Sequence, residues 1–563
     1  RKLTSFSFNR PCVRSLLVVF GLVCASGSLL AQTTWRSDTE RGVFTVTLDA
    51  GVAHIPIATL QSWQLTLQQP DGRPVSNARV VVGGGMRAHG HGLPTQPEVM
   101  STGQPGLYTI EGLRFNMSGE WTLALSIDSA NGRDRVLFEL TLTDLPTADG
   151  LAALALDKDW RPPPSPSNRV ADSLPAASLG RELFFDESLS GAGTSSCASC
   201  HQPARFLADG ERLGQGRDRA MRNTPSLIGA SAQSWFYWDG RRDSLWSQAL
   251  VPFEAVEEMG GSRLAVVRTV LIAPHYREQY ARVFGKPPDI DFARLPAEAG
   301  PIGSAMSKAA WAELSRQDQI AINTVFANVG KAIAAFERSL PAPPSPFDLY
   351  VADRRDVGEQ DSEARVGSSA HQHAMEHAID RNRQRPLDAS ALRGLALFMD
   401  SNKTNCLRCH NGPWFSNQGF HNIGTGNFSG ERLDFGRVYG LQAAIRDEFN
   451  CLGPYSDTRP EACTEQRFLS KHSHVPLEGA FKVPTLRNLK HTAPYMHDGR
   501  YATLREVVEH YRNPPSDGPP HELQALVLSD AEVDDLVRFL ESLSGAGELR
   551  MLQQESGNHE PRH

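Results

Sequence analysis

The chain has 563 residues, with 57 Lys or Arg and 64 Asp or Glu side chains, so its formal net charge at pH 7 is −7. This modest negative charge argues against nucleic-acid binding, which needs a basic surface. At about 150 residues per domain, the length predicts two or three domains.

The first 31 residues are typical of a secretory signal peptide. The apolar run SLLVVFGLVCASGSLLAQ follows four basic residues, Arg1, Lys2, Arg10 and Arg14, and ends in small residues near Ala31. The run is too short and interrupted to cross a bilayer, and no later stretch reaches the roughly 20 apolar residues of a membrane helix. Val23 precedes Cys24, which argues against a lipid anchor. We therefore expect an exported, periplasmic protein without a membrane span.

Residues 35–146 predict an immunoglobulin-like β-sandwich of roughly seven strands. Apolar and polar residues alternate in short runs that Gly, Pro, Asn and Asp separate: GVFTVTLDA, WQLTLQQ, ARVVVGG, GLYTIEGL, EWTLALSI and VLFELTL. Residues 147–170 contain DKDWRPPPSPSNRV, which predicts a semi-rigid, Pro-rich linker.

From residue 171 onward the apolar spacing becomes helical. Residues 171–345 and 388–545 predict two similar helical lobes, since SLGRELFFD in the first and SALRGLALFMD in the second each precede a cysteine pair. This repeat indicates an internal duplication. Residues 352–387 are polar and charge-rich, which predicts an exposed insertion, and residues 546–563 predict a flexible tail.

Each lobe carries a C-x-x-C-H unit, formed by Cys197, Cys200 and His201 and by Cys406, Cys409 and His410. Zinc is one alternative, because Cys and His are its usual ligands. Covalent haem attachment accounts better for a His directly after the second Cys, since two thioethers hold the porphyrin and the imidazole binds iron. We therefore expect two c-type haems. Outside these units, Cys451 and Cys463 predict a local disulfide in an oxidising compartment.

The first haem is predicted to have an open axial position. No His lies between Gln202 and Pro274, and Met221 is the first Met after His201. The following stretch, FYWDGRRDSLWSQALVPFEAVEEMG, instead supplies Trp238, Gln248, Pro252 and Glu258.

Residues 171–545 resemble the bacterial di-haem cytochrome c peroxidase/MauG family. The similarity lies in RELFFDESLSGAGTSSCASCH, RNTPSL, FYWDGR, QALVPFEAVEEMG, CLRCHNGPWFSNQGFHN and FKVPTLRNLKHTAPYMHDGRYATLREVVEHY. The resemblance implies that Gln248, Pro252 and Glu258 face hydrogen peroxide at the open haem, and that Trp238 lies between the haems. It also implies a calcium ion bound by Asn223, Thr492 and Pro494.

Elementary chemistry is compatible with these roles. A desolvated carboxyl group such as Glu258 can move the proton that peroxide cleavage requires, and an indole such as Trp238 can pass electrons. Hard oxygen ligands suit calcium. The alternatives are a surface acid at Glu258, packing at Trp238, a structural hydrogen bond at Gln248 and ordinary turns at the calcium ligands.

Two positions depart from the peroxidase branch of the family. Its second-haem Met, 14 residues after the His of HDG, is Tyr511 here, and its displaceable His is Arg217. Tyr511 shares a helical stripe with Leu504 and Val508, whereas His510 points about 100° away. We therefore expect Tyr511 to be an axial ligand of the second haem, opposite His410. Both departures indicate the MauG-like branch, whose members use high-valent iron to oxidise protein side chains.

Metal sites are also conceivable outside the haem lobes. GGGMRAHGHGLPTQP resembles the FixH/YtkA-like family, so Met86, His89, His91 and His54 are candidate copper ligands, with a polar loop as the alternative. In HQHAMEH, His373 and His377 are one helical turn apart and could bind a metal ion, although such a run is more often solvated surface.

Three functions fit the sequence. The first is a MauG-like oxidase that uses hydrogen peroxide to oxidise a protein substrate by long-range electron transfer. The second is a peroxide-scavenging cytochrome c peroxidase fed by a small cytochrome c or cupredoxin. The third is a non-catalytic electron-transfer or copper-handling protein. The sequence does not predict the oligomeric state.

Overall fold

The computed structural model describes residues 33–86, 91–143, 147–354, 386–426, 433–470, 477–516 and 520–545. The signal-peptide segment, most of the polar insertion with His373 and His377, and the C-terminal tail lie outside these ranges. Within them, no helix is long and apolar enough to cross a membrane.

The N-terminal domain contains two antiparallel β-sheets. The strands are β1 (Thr34–Asp38), β2 (Thr45–Asp49), β3 (Gln61–Gln68), β4 (Arg79–Met86), β5 (His91–Gly92), β6 (Glu98–Ser101), β7 (Leu107–Leu113), β8 (Gly119–Ser129) and β9 (Gly132–Leu142). One sheet has the order β1-β2-β3-β7-β6 and the other β5-β4-β8-β9. The described part of this domain therefore has nine strands where the sequence predicts about seven. The pattern of alternating apolar and polar residues did not predict β1, β5 and β6.

Alternating side chains of the two sheets form the core of this domain. Trp63, Leu65 and Leu67 point inward from β3, and Trp121 and Leu123 do so from β8. Each fully buried side chain of this size stabilises the fold by about 1.5–3 kcal/mol. The β-sandwich prediction is confirmed.

The segment predicted to be a linker begins with a helix, Thr147–Leu154. Leu154 is buried in the second-lobe core beside Phe347 and Leu395. The prolines of this segment begin only at Pro162, and the Ala- and Leu-rich residues before them are good helix formers. The first third of the predicted linker is thus part of the second lobe.

The two lobes are mainly helical. The first contains Leu174–Phe185, Cys197–Cys200, Leu245–Gln248, Val251–Glu254, Arg263–Ile272, Pro274–Phe284, Ala305–Glu313 and Arg316–Arg338. The second contains Ala389–Met399, Arg437–Arg446, Thr464–Arg467, Leu504–Arg512 and Asp530–Ser542, with a two-stranded ribbon of Phe420–His421 and Phe481–Lys482.

A glycine allows the same close helix crossing in each lobe. A Cβ atom on Gly180 would lie 1.9 Å from the Ala332 carbonyl oxygen, and one on Gly394 would lie 1.9 Å from that of Asp535. Both glycines belong to the helix that precedes the cysteine pair, and both cross the long helix that closes their lobe. This shared helix crossing supports an internal duplication.

Cys451 and Cys463 form the predicted disulfide. The bond joins a loop to the start of the short helix Thr464–Arg467, and both cysteines are buried.

Candidate active site

The first C-x-x-C-H unit forms one turn of helix with a fixed histidine. The side chain of Ser199 accepts a hydrogen bond from the Ser196 backbone, which closes a capping box at the start of the turn. His201 Nδ1 lies 2.9 Å from the Leu207 carbonyl oxygen. Because a carbonyl only accepts, Nδ1 carries the proton and Nε2 is left with a lone pair for a metal ion.

A cavity opens beside this unit, with about 500 Å³ of empty space including its mouth. Cys197, Cys200 and His201 form part of its wall. The expected peroxide-facing residues also line it, namely Gln248, Pro252 and Glu258. The structure therefore brings together one motif and three side chains that are some 50 residues away in the chain.

Burial is the main influence on Glu258. Desolvation raises the pKa of its carboxyl group, Arg241 opposes this shift and Glu257 adds to it. Gln248 Nε2 lies 3.5 Å from the Tyr237 hydroxyl, while its Oε1 is buried and has no hydrogen-bond partner among the described residues. The cavity thus presents a carboxyl group with a raised pKa beside an amide oxygen that can accept a hydrogen bond.

Two residues of this site were not predicted from the sequence. The Tyr237 hydroxyl donates to the Gln248 carbonyl at 3.2 Å, and the Arg241 guanidinium lies over the Tyr237 ring at 3.4 Å. Glu337 lines the cavity from the long helix, and burial raises its pKa to about 8. In the sequence, FYWDGR singles out Trp238 and not the neighbouring Tyr237. Glu337 fits an ordinary helical pattern and gives no local signal.

Arg217 does not enter the cavity. Its backbone N–H donates to the Glu258 carbonyl at 2.7 Å, but its exposed side chain reaches the Gly260 carbonyl at 3.4 Å. The position where the peroxidase branch has a displaceable His therefore points to solvent in this chain.

The second unit repeats the arrangement of the first. His410 Nδ1 donates to the Phe415 carbonyl at 2.9 Å, which again leaves Nε2 for a metal ion. Burial lowers the pKa of His410 to about 4, so the ring is neutral and able to coordinate.

Tyr511 faces the second pair of thiols. Burial raises the pKa of its hydroxyl, and the sulfur atoms of Cys409 and Cys406 contribute next. His510 is buried on another side, where its Nε2 donates to the Ile423 carbonyl at 2.8 Å and its Nδ1 accepts from the Tyr501 hydroxyl at 2.9 Å. Both nitrogens of His510 are therefore occupied, which leaves Tyr511 as the candidate ligand on this helix.

The His497 ring contacts residues outside this motif. Its ring stacks on Phe481 with centroids 3.6 Å apart, and its Nε2 lies 3.8 Å from Asp434 Oδ2.

Trp238 connects the two lobes. Its Nε1 donates to the Asn223 carbonyl at 3.0 Å, and its own carbonyl accepts from the Lys482 backbone N–H at 2.7 Å. The Asn223 N–H in turn donates to the His497 carbonyl at 2.8 Å. This chain of bonds places Asn223 beside the loop that carries Thr492 and Pro494, the other expected calcium ligands.

The candidate copper ligands are only partly described. Met86 ends β4 and pairs in register with His91 of β5, while His89 lies outside the described ranges. His54 is half-buried in a loop. Across the described parts of the chain, no three His, Cys, Asp or Glu side chains are grouped as metal ligands.

The two units fit haem better than zinc. Each pair of cysteines is free of disulfides. A structural zinc site needs four ligands, and no three His, Cys, Asp or Glu side chains of the described residues are grouped to hold a metal ion. Two free thiols and a histidine with a free Nε2 are the groups that a covalently attached haem requires.

Comparison with known proteins agrees with this assignment. The family model described as di-haem cytochrome c peroxidase matches residues 175–356, and the one described as YtkA-like matches residues 44–126. Methylamine utilization protein MauG of Methylophilus methylotrophus is 27% identical over 398 residues, which are 68% of this chain and 89% of that protein. Cytochrome-c peroxidase IdrP2 of Pseudomonas sp. (strain SCT) is 30% identical over 371 residues, or 65% of this chain and 80% of that protein.

A solved structure of a MauG-like protein associated with microbial copper homeostasis is 23% identical, covers 70% of this chain and 97% of its own, and gives a TM-score of 0.45. The sequence relatives and family models settle the assignment: the chain belongs to the di-haem cytochrome c peroxidase and MauG family and carries a YtkA-like domain ahead of its di-haem unit.

Proposed function

We propose that the protein uses hydrogen peroxide to oxidise a protein substrate by long-range electron transfer, in the manner of the MauG-like branch. The observation that carries the proposal is Tyr511, which faces the second thiol pair where the peroxidase branch has Met. A phenolate is hard and anionic, so it stabilises oxidised iron, whereas a Met ligand favours reduced iron.

The residues of the first cavity have defined tasks in this proposal. A haem held by Cys197, Cys200 and His201 would supply the iron at which peroxide is reduced. Glu258, whose pKa is raised by burial, takes the proton from the inner peroxide oxygen and returns it to the outer one. The unpaired Gln248 Oε1 accepts a hydrogen bond from peroxide or water and orients it. Pro252 lines the same cavity and has no N–H that could donate a competing hydrogen bond to peroxide.

Trp238 is the proposed link between the two haem sites. Its indole Nε1 is hydrogen-bonded to Asn223 of the first lobe, and its backbone carbonyl is hydrogen-bonded to Lys482 of the second. These bonds support a route for electrons between the two sites through this residue. A calcium ion held by Asn223, Thr492 and Pro494 would fix this junction with hard oxygen ligands. Copper binding at Met86, His89 and His91 is a further proposal for the YtkA-like domain.

The alternative function is peroxide scavenging with electrons from a small cytochrome c or cupredoxin. It is favoured by the relatives named as cytochrome-c peroxidases, one of which is 30% identical. We place the protein in the periplasm under either function, since the Cys451–Cys463 disulfide suits an oxidising compartment.

Glu258→Gln tests the proposed chemistry. The variant should retain both haems but react with peroxide about 10²–10⁴ times more slowly, the range for loss of a general acid–base group. The measurement is stopped-flow absorbance of the ferric protein as purified, because an open first haem needs no prior reduction. Glu257→Gln, at the exposed neighbouring position, is the matched control and should react at the wild-type rate.

An unchanged rate in Glu258→Gln would remove this residue from the mechanism. A wild-type protein that reacts only after one-electron reduction, and that turns over rapidly with reduced cytochrome c, would favour the scavenging function instead.

A further inference from the structure

The YtkA-like domain is docked on the second lobe. Arg114 of the β domain pairs with Glu465 at 2.9 Å, and Arg467 pairs with Glu98 at 2.6 Å. The Phe468 ring fills the space above Gly112, where a Cβ atom would lie 2.3 Å from it. Ion pairs, backbone hydrogen bonds and ring packing thus fix the two domains against each other.

The same interface reaches the second haem-attachment motif. Arg408, the residue between Leu407 and Cys409 of that motif, directs its Nε to the Met117 sulfur at 3.2 Å. Asn417 Nδ2 donates to the Asn116 carbonyl at 3.2 Å. Asn417 is two residues from Phe415, whose carbonyl holds His410. Residues 116 and 117 of the β domain therefore touch the loop that surrounds the second site.

A continuous row of aromatic rings begins at this contact. Trp121 Nε1 donates to the Met117 carbonyl at 3.0 Å. Ring centroids are 5.2 Å apart from Trp121 to Phe115, 5.6 Å from Phe115 to Trp63 and 5.2 Å from Trp63 to Trp35, with the last pair stacked. The first three rings are buried, and Trp35 is half-exposed on β1. The row thus runs from the second motif through the core to the surface.

We propose that this aromatic row, Trp121–Phe115–Trp63–Trp35, carries electrons from the surface of the YtkA-like domain to the second haem site. The proposal rests on the proposed function, which supplies the oxidant. Tryptophan indoles release one electron at a time, and Phe115 fills the gap between two of them. The fused domain is then the place where a protein substrate gives up its electrons, at Trp35.

Without a substrate, Trp35 is the last reductant in the row. Hydrogen peroxide takes up two electrons and two protons and becomes two water molecules. Trp35 loses two electrons and two protons and gains one oxygen atom from water. The net change converts one peroxide and one tryptophan into one water and one hydroxytryptophan.

Peptide mass spectrometry of the peroxide-treated holoprotein tests the row. In the wild-type protein, Trp35 should gain one oxygen atom. In Trp63→Phe the row is broken next to its end, so oxygen at Trp35 should fall to the level measured without peroxide. Trp121→Phe breaks the row at its other end and should give the same loss. Unchanged haem absorption and an unchanged unfolding midpoint show that a variant is folded.

Trp160→Phe is the matched control. Trp160 contacts Trp414, with ring centroids 5.1 Å apart, and Trp414 precedes Phe415 in the second lobe. This pair is also close to the second motif but does not belong to the β domain, so the variant should oxidise Trp35 as the wild type does.

The outcomes separate the two proposals. If peroxide changes the haem spectrum but Trp35 is unmodified, or is modified equally in Trp63→Phe, the row is not the path. Loss of Trp35 oxidation in Trp160→Phe alone would assign the path to the Trp160–Trp414 pair. If peroxide leaves the haem spectrum unchanged, the proposed function fails, and the proposed path fails with it.

Discussion

The two metal-facing histidines are oriented by strained backbone. Leu207 and Phe415, whose carbonyls accept from His201 and His410, have φ angles of 58° and 50°. A residue with a Cβ atom pays about 1–2 kcal/mol for this left-handed conformation. The same strain occurs in both lobes, at the residue whose carbonyl orients the imidazole. At each site the benefit of orienting the ring therefore exceeds the cost of the strained backbone.

Asp243 makes the stability of the first lobe depend on pH. Burial raises its pKa to about 7, a hydrogen bond from the Cys451 N–H opposes the shift, and Asp447 adds to it. The ordinary pKa of an Asp carboxyl is 3.8, so between these values the folded state should hold a proton that the unfolded state has lost. The unfolding free energy should therefore fall as pH rises from about 4 to 7, by up to about 1.4 kcal/mol per unit.

Asp243→Asn should make this slope shallower by the contribution of one proton, because the amide oxygen still accepts from Cys451 but does not titrate. The remaining slope comes from other buried acids such as Glu337, whose pKa is also raised. Denaturant unfolding of the holoprotein at several pH values between 4 and 7 measures the slope. The exposed Asp289→Asn serves as a control that should keep the wild-type slope. Equal slopes in wild type and Asp243→Asn would show that Asp243 is ionised in the folded protein throughout this range.

Single residues were predictable where a motif fixes them and not where the tertiary structure does. The spacing of two C-x-x-C-H units identifies the six haem-attachment residues without a structure. Tyr237, Asp243 and Glu337 owe their properties to burial by distant segments. No local pattern distinguishes them from ordinary tyrosines and surface acids.

The helix Leu504–Arg512 decides which side chain faces the second site. Its start is fixed by a capping box, in which Thr503 Oγ1 accepts from the Glu506 N–H and Glu506 accepts from the Thr503 N–H at 2.8 Å. Since residues on a helix are about 100° apart, this start determines the direction of Tyr511. The hydrogen bond from Tyr501 to His510 and the one from His510 to Ile423 then fix the rotation of the helix.

Tyr511→Met should raise the reduction potential of the second haem, because a thioether favours ferrous iron where a phenolate favours ferric iron. Tyr511→Phe should leave a vacant axial position there, since His510 is held by two hydrogen bonds. Spectroelectrochemical titration measures both effects. Tyr439→Phe changes a tyrosine of the same lobe that is 61% exposed, and it should keep the wild-type potential. The same potential in Tyr511→Met would mean that Tyr511 is a packing residue.

Periodicity predicted the long elements and missed the short ones. Each of the six runs of alternating apolar and polar residues forms a strand. The strands β5 and β6 have two and four residues and are too short to show a period. Helix Thr147–Leu154 was not predicted, because the prolines that follow it are typical of a linker. The three-residue helix of the second motif, Cys406–Arg408, is set by the motif and not by hydrophobic spacing.

Three parts of the molecule meet at one short helix. Thr464–Arg467 follows Cys463 of the disulfide and carries Glu465 and Arg467 toward the β domain. Glu465 also accepts hydrogen bonds from Ser234 and Trp235 of the first lobe. Burial opposes its charge, yet Arg114 and these donors hold its pKa below the usual value. The disulfide thus anchors a carboxylate that joins the β domain to both lobes.

Reversing the charge of Glu465 should therefore detach the β domain. Glu465→Arg places two guanidinium groups together in a partly buried interface, and loss of such a pair typically costs about 3–5 kcal/mol. Calorimetry of the holoprotein should show the β domain unfolding separately and at lower temperature, and small-angle scattering should show a larger radius of gyration. The double variant Arg114→Glu with Glu465→Arg restores opposite charges and should recover most of the docking.

Arg133→Glu is the control for this experiment, because Arg133 belongs to the same domain but lies at the far hairpin, where it is 80% exposed and pairs with Asp128. A surface pair of this kind contributes about 0–1 kcal/mol, so its reversal should leave the domains docked. If Glu465→Arg unfolds in one transition with the wild-type radius of gyration, then Phe468 and the backbone hydrogen bonds hold the interface without the ion pair. Because Arg408 and Met117 belong to the same interface, detachment should also expose the edge of the second motif.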